Sequence, residues 1–136
     1  MCGITAISAN KEALPFLLQG LEKLEYRGYD SAGITTIEGN HLFTKKAKGR
    51  LQNLKDLLKD ENVLGHVGIG HTRWATHGEP SDINSHPHMS SDSAVAVVHN
   101  GIIENYLEIK KELVSKGYKF LSETDTETVA HLIDDY

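Results

Sequence analysis

The chain is poor in the features that define several large classes of proteins. Its 136 residues include one Cys, one Trp and three Pro. A single Cys forms no intrachain disulfide, which is typical of proteins in the reducing cytoplasm. No apolar run approaches the ~20 residues that span a bilayer, and no basic segment followed by an apolar one marks a signal peptide. We therefore expect a cytoplasmic protein.

Positive charge is scarce as well. The 14 Lys and Arg residues are outnumbered by 19 Asp and Glu residues, which gives a net charge of −5. Because acids and bases are interspersed, the chain has no basic arm or patch, and nucleic acid and anionic membranes are disfavoured as partners. The hydrophobic share of 39% and the charged share of 24% are those of an ordinary globular domain.

Apolar periodicity predicts a mixed α+β chain. Short apolar runs predict strands, and leucines three and four residues apart predict amphipathic helices. The strands are expected at 1–9, 32–37, 41–45, 67–73, 95–98 and 118–121, with the strand at 95–98 buried. The helices are expected at 11–24 and 51–58, in a segment ending at Gly117, and from Thr124 onward. Between 74 and 93 the chain has no period, and a loop of this length is usually functional.

The last predicted helix begins with a Thr124-x-x-Glu127 pattern, which is typical of a capping box. It then presents an apolar face formed by Val129, Leu132, Ile133 and Tyr136. No Gly or Pro stops this helix before the last residue. We therefore expect the sequence to be the front part of a longer domain.

The lone Cys2 directly follows the initiator Met1. Most lone cysteines are small buried hydrophobes, but this position allows removal of Met1 and exposure of an α-amine beside the thiol. An α-amine has an ordinary pKa of about 7.7–8 and a thiol one of about 8.5, so the amine can take the thiol proton near neutral pH. The first strand places this candidate nucleophile at a sheet edge, next to Gly3.

Other polar residues have both a structural and a chemical interpretation. Asn100-Gly101 is a common turn dipeptide, and it also offers an amide and a backbone N–H for an oxyanion hole. Arg73 is either a solvated charge or a bidentate clamp for a carboxylate on a closing loop. Asp125 is either a favourable charge at a helix start or a counter-ion for an ammonium group.

Eight His residues, including the His86-x-His88 pair, raise the question of a metal site. This pair has no third and fourth ligand at a recognisable spacing, so we predict no metal. The Gly65-x-x-Gly68-x-Gly70 run precedes a strand instead of a helix, so it is not expected to bind a phosphate. No cofactor is predicted.

Several segments together resemble the class II, N-terminal-nucleophile glutamine amidotransferases over nearly the whole chain. The matching segments are Met1-Cys2-Gly3-Ile4, Tyr26-Arg27-Gly28-Tyr29-Asp30-Ser31-Ala32-Gly33, His71-Thr72-Arg73-Trp74-Ala75-Thr76-His77-Gly78, His99-Asn100-Gly101 and Ser122-Glu123-Thr124-Asp125-Thr126-Glu127. The resemblance implies a four-layer αββα sandwich, incomplete in this chain. A whole glutaminase domain of this kind is longer, and sugar-isomerase domains would follow it.

The resemblance also implies a role for each site residue. Cys2 would be the nucleophile with its own α-amine as base, after loss of Met1. Asn100 and Gly101 would form the oxyanion hole. The remaining roles concern glutamine itself: the α-carboxylate would be held by Arg73, the α-ammonium by Asp125, and the pocket and its mobile loop would include Trp74, Thr76 and His77.

Within this family the resemblance favours the branch that transfers ammonia from L-glutamine to fructose 6-phosphate in a homodimeric parent protein. Trp74-Ala75-Thr76-His77-Gly78 and Asn84-x-His86-Pro87-His88 are the segments that favour it. Two alternatives remain open from the residues. One is the branch that acts on phosphoribosyl pyrophosphate, and the other is a non-catalytic module built on the His-rich loop.

Overall fold

The computed structural model describes residues 1–75 and 78–136. Its strands are β1 (Gly3–Ser8), β2 (Ser31–Glu38), β3 (His41–Lys48), β4 (Val67–Arg73), β5 (His88–Met89) and β6 (Ala96–Val97). Its helices are α1 (Ala13–Leu24), α2 (Leu51–Leu58), α3 (Tyr106–Ser115) and α4 (Thr126–Asp135), with a 3-10 turn at Glu25–Arg27. The described strands form one antiparallel sheet in the order β1-β4-β2-β3 and a second, two-stranded sheet of β5 and β6.

Helices α1 and α2 cover one face of the larger sheet. Their leucines recur at helical spacing, so each helix has one apolar side that is removed from water against the sheet. The fully buried members are Leu17 and Leu21 of α1 and Leu54 of α2, and they pack with Ile34 of β2. This cluster is the apolar core of the described residues.

The smaller sheet lies against the opposite face. A Cβ added to Gly33 of β2 would lie 2.0 Å from the carbonyl oxygen of His86, so the backbones of the two layers are in direct contact there. Thr44 of β3 reaches the sulfur of Met89 in β5 at 3.2 Å. Because α4 packs on β5 and β6 and α3 packs on α4, the layers follow the order α–β–β–α. The predicted α+β, four-layer architecture is confirmed.

Most predicted elements are present, with small shifts at their ends. The hairpin between β2 and β3 turns at Gly39, whose φ is 60°. Helix α3 ends as predicted at Gly117, whose φ is 97°, and the N–H of Tyr118 donates to the carbonyl of Leu113 at 3.1 Å. None of the described helices has both the length and the apolar content that crossing a membrane requires.

The prediction for the last helix is wrong in two respects. No side chain caps the first turn of α4, because Thr124 contacts His88 and Glu127 accepts hydrogen bonds from the N–H groups of Leu121 and Ser122. The buried side of α4 is also mostly polar. It consists of Thr126, Glu127, Thr128, Ala130 and His131.

The apolar residues assigned to the packed face of α4 are less buried than those polar ones. Ile133 is 52% exposed and Tyr136 is fully exposed. The strand predicted at 118–121 is absent. The strand predicted at 95–98 is present as β6, but it is short and half-buried instead of buried. The short strand β5, inside the predicted loop, was not predicted because two residues carry no period.

Candidate active site

A cavity of about 450 Å³ opens where the N-terminus, the end of β4, the turn after β6 and the start of α4 meet. Six predicted site residues line it: Cys2, Arg73, Trp74, Asn100, Gly101 and Asp125. Thr76 and His77, the other two predicted members, lie outside the described residues. The fold therefore gathers into one cavity residues that are up to 123 positions apart (125 − 2) in the chain.

Cys2 lies immediately before β1, at an edge of the larger sheet in the described part of the chain. Gly3 is in register with Thr72 of β4, and this pairing brings the thiol beside the chain that continues from β4. The backbone N–H of Trp74 donates to Cys2 Sγ at 3.1 Å, and Sγ lies 3.5 Å from the carbonyl oxygen of Trp74. The free thiol is half-buried, so it is held in place and still open to the cavity.

With Met1 present, the nitrogen of Cys2 is part of a peptide bond and has no basic lone pair. The terminal amine of Met1 donates instead to the carbonyl of Arg27 at 2.7 Å. The Arg27 side chain also reaches the Met1 sulfur at 3.7 Å. The N-terminus is thus bound to the 3-10 turn beside the cavity.

Asn100 is held from behind by a histidine that sequence analysis did not assign to the site. Its side-chain oxygen lies 2.7 Å from His71 Nε2. The His71 ring is fully buried, and this burial lowers its pKa to about 4 although the bond to Asn100 opposes the shift. His71 lies two residues before Arg73 on β4, so their side chains share one face of the strand. That spacing was the available signal.

Asp125 is 4% exposed and occupies the N-cap position of α4. Its carboxylate does not bond to the N–H groups of its own helix. It accepts the backbone N–H of Ile103 at 2.7 Å, which ties the start of α4 to the turn that carries Gly101. A purely local helix-capping role therefore does not describe Asp125.

Arg73 is 2% exposed, and burial lowers the pKa of its guanidinium while the nearby Cys2 and Asp30 oppose that shift. It donates to the carbonyls of Gly78 at 3.2 Å and Glu79 at 3.4 Å. Asp30 in turn accepts the N–H of Ala75 at 2.8 Å. These bonds fasten both sides of the loop that starts at Trp74, and Asp30 is a second contributor that the sequence did not reveal.

His71, His86 and His88 lie together between the two sheets. The rings of His71 and His86 are stacked with centroids 4.1 Å apart, and those of His86 and His88 are 4.6 Å apart. Burial is the main cause that lowers the pKa of His86 and His88 well below the usual value. Within 1–75 and 78–136, no three His, Cys, Asp or Glu side chains form a group that could hold a metal ion.

The chain is similar to known proteins of one family. A family described as "Glutamine amidotransferase domain" matches residues 59–136. All 136 residues align with the glutamine--fructose-6-phosphate aminotransferases [isomerizing] of Clostridium tetani, at 61% identity, and Caldanaerobacter subterraneus, at 60%. The chain spans 22% of the length of each of these relatives.

Two solved structures share the fold over the whole chain. One is a glutamine phosphoribosylpyrophosphate amidotransferase from B. subtilis complexed with ADP and GMP, with a TM-score of 0.83 and 29% identity. The other is described as the allosteric regulatory enzyme of purine biosynthesis, with a TM-score of 0.84 and 31% identity. The chain covers 30% of each.

Proposed function

The chain belongs to the glutamine amidotransferase domain family, and on that premise we propose that it hydrolyses the side-chain amide of L-glutamine in the cavity at Cys2. The observation that carries this proposal is the set of groups around one cavity. They comprise a thiol, a cation, an anion and an amide next to a glycine N–H. Binding and hydrolysis of glutamine require each of these groups.

The chemistry follows from these groups. Once Met1 is removed, the α-amine of Cys2 takes the thiol proton, and Sγ attacks the amide carbon of glutamine. The negative charge that develops on the amide oxygen is stabilised by the Asn100 side-chain N–H and the Gly101 backbone N–H. The carbon–nitrogen bond then breaks, and the α-ammonium returns its proton to the departing nitrogen. Water hydrolyses the thioester to release glutamate and restore the thiol.

Two buried charges account for the choice of glutamine over a simple amide. Arg73 binds the α-carboxylate and Asp125 binds the α-ammonium. Trp74 lies on the loop that Arg73 and Asp30 fasten, so carboxylate binding is coupled to the position of that loop. Thr76 and His77 complete the pocket in this proposal.

The proposed acceptor of the ammonia is fructose 6-phosphate, which is converted to glucosamine 6-phosphate. The chain is 61% identical to an aminotransferase named for that sugar and 29% identical to an amidotransferase named for phosphoribosyl pyrophosphate. In this proposal residues 1–136 are the front part of a glutaminase domain in a cytoplasmic, homodimeric protein. The acceptor is bound by sugar-isomerase domains beyond this chain.

The test compares two forms of the full-length protein, one that begins at Cys2 and one that keeps an uncleaved N-terminal tag. Intact mass identifies the N-terminus of each form. We expect the first form to release glutamate from glutamine. The tagged form and a Cys2→Ala variant should lose this activity on the order of 10⁶-fold, as when a nucleophile or its base is removed. Both should still make glucosamine 6-phosphate from added ammonia. Equal glutamine hydrolysis by the tagged form would refute the self-base mechanism.

A further inference from the structure

A fully buried imidazole lies directly behind the Asn100 side chain. His71 is on β4, on the strand face that meets the second sheet, and its ring stacks on His86 at 4.1 Å. Its Nε2 is 2.7 Å from the Asn100 oxygen, which is well within hydrogen-bonding distance. Asn100 itself lies in an exposed turn after β6.

The direction of this hydrogen bond follows from its chemistry. An amide oxygen only accepts, so the proton lies on His71 Nε2. Burial lowers the pKa of His71 to about 4, so near neutral pH the ring is uncharged and carries one proton. That proton is therefore on Nε2, and the stacked His86 ring fixes the plane in which it points.

An asparagine amide is nearly symmetric in shape, so packing alone does not choose between its two orientations. With the oxygen toward His71, the two amide N–H donors are left for the cavity. In the opposite orientation a lone pair of the oxygen would face the developing negative charge on the substrate. The hydrogen bond from His71 selects the orientation that can stabilise that charge.

We propose that His71 is a positioning residue, which fixes the Asn100 amide with its N–H groups toward Cys2 and thereby sets the strength of the oxyanion hole. This inference rests on the proposed function, because it acts through Asn100. It adds to the site a buried residue that contacts Asn100 and does not touch the substrate. It also explains why a polar ring occupies a fully buried position on β4.

The oxyanion exists only in the tetrahedral state, so the effect should appear in kcat and not in KM. Loss of one oxyanion donor costs about 10²–10³-fold in kcat, and loss of its orientation should cost part of that, about 10- to 100-fold. The same factor should appear in the affinity for an aldehyde analogue of glutamine, glutamate γ-semialdehyde. The thiol adds to the carbonyl carbon of this aldehyde and gives a tetrahedral oxyanion. Glutamate, whose γ-carboxylate stays planar, should bind to the variant as tightly as to the wild type.

The experiment uses His71→Leu and His71→Gln in the full-length protein. The leucine removes the donor, whereas the glutamine returns an N–H near the position of Nε2 and should restore most of kcat. His131→Leu is the matched control, since His131 is 1% exposed and bonds through Nε2 to Glu127 at 2.9 Å, away from the cavity. It should lower the unfolding temperature and leave kcat within about 2-fold, because its loss acts only through stability.

Three results would overturn the inference. The first is an unchanged ratio of aldehyde to glutamate affinity in His71→Leu, and the second is an equal loss of kcat in His131→Leu. The third is a proton on Nδ1 of His71 instead of Nε2 in the wild type, which ¹⁵N NMR detects even if His71→Leu does not fold. A wild type that neither hydrolyses glutamine nor binds the aldehyde would overturn the proposed function itself. An active wild type with an unchanged ratio would overturn only the role of His71.

Discussion

The two faces of the larger sheet are built from different kinds of side chain. On β2, Ile34 points into the apolar core under α1 and α2 and is fully buried. Its neighbour Thr35 points to the other face, is equally buried, and bonds to Thr44 at 2.7 Å. The helix side is filled mainly by leucines, although Thr36 and Thr72 are also buried there, whereas the side toward the second sheet is filled by His, Thr, Ser, Arg and Glu.

The helix side of the sheet therefore contributes mainly to stability, and the other side mainly to the geometry of the site. Apolar contacts have no direction, so the helix side contributes burial and tolerates small adjustments. Buried polar groups are stable only when they are hydrogen-bonded, so the other side specifies distances and orientations. Glu127 illustrates this, since it accepts from the N–H groups of Leu121 and Ser122 and from His131 while 2% exposed. Side chains of this layer continue directly into the cavity at Cys2.

The largest effect on stability should come from the helix side. Leu54→Ala removes a fully buried side chain, and such a change lowers the free energy of unfolding by about 2–5 kcal/mol. Leu57→Ala, on the same helix but 48% exposed, is the matched control and should cost about 0.5 kcal/mol or less. Urea unfolding measures both. Glutaminase activity per folded molecule should be unchanged, and equal losses of stability in the two variants would contradict this division between the faces.

Polar residues that line the cavity at Cys2 should show the opposite response, with activity lost more than stability. A hydrogen bond to a charged group contributes about 1.5–3 kcal/mol, so Arg73→Ala and Asp125→Asn should each lower kcat/KM for glutamine about 10- to 150-fold. The asparagine keeps an oxygen for the N–H of Ile103 and isolates the effect of the charge. The measurement compares glutamine with ammonia as nitrogen source, because ammonia carries neither charged group.

Arg50→Ala provides the control for that pair, since the Arg50 side chain is 63% exposed and contacts Glu25 at the surface. Its kcat/KM for glutamine should stay at the wild-type value. If ammonia-driven synthesis falls as far as glutamine-driven synthesis in Arg73→Ala or Asp125→Asn, these residues do not recognise glutamine.

The smallest effect per side chain concerns acid. Burial lowers the pKa of His71 to about 4 and holds those of His86 and His88 lower still. In the unfolded chain these rings titrate near 6.5, so the unfolded state binds more protons below that pH. Their stabilisation is therefore complete above pH 6.5 and declines as the pH falls. Lowering the pH from 7 to 5.5 should reduce the free energy of unfolding by about 1 kcal/mol for each ring.

Urea unfolding at the two pH values measures this decline. His86→Phe should remove about one third of it, since it removes one of the three rings. Ile34→Val is the control, because it lowers stability by about 0.5–1.5 kcal/mol without removing a titrating group and should keep the full decline. Stability that is constant or rises toward pH 5.5 would contradict the buried, neutral state of these histidines.

Sequence reasoning succeeded where one face of an element is apolar. Strands β1 to β4 and helices α1 to α3 follow from leucines and short apolar runs, since burial against one neighbour leaves a period in the chain. It predicted helix α4 but not the side of α4 that is buried, since that side is polar and Ile133 is half exposed. Hydropathy has no means of marking a glutamate or histidine that is buried by pairing with groups from other segments.

The candidate site divides in the same way. Cys2, Arg73, Asn100 and Asp125 were predicted because their chemical types match a substrate, and they do line one cavity. His71 was not assigned a role because its partner is 29 residues away in the chain and its function is to orient that partner. Contacts of this kind are determined by the packing of the two sheets.

The hydrogen bond between Cys2 and Trp74 couples recognition of the substrate to the reactivity of the thiol, and the coupling acts in both directions. The N–H of Trp74 donates to Sγ at 3.1 Å, and a hydrogen bond of this type is stronger to a thiolate than to a thiol. Trp74 is also the neighbour of Arg73, to which the proposed function assigns the carboxylate of the substrate. If carboxylate binding stabilises the thiolate by some factor, thermodynamic linkage requires that formation of the thiolate strengthens carboxylate binding by the same factor. A single peptide unit thus couples the acidity of the nucleophile to the occupancy of the site.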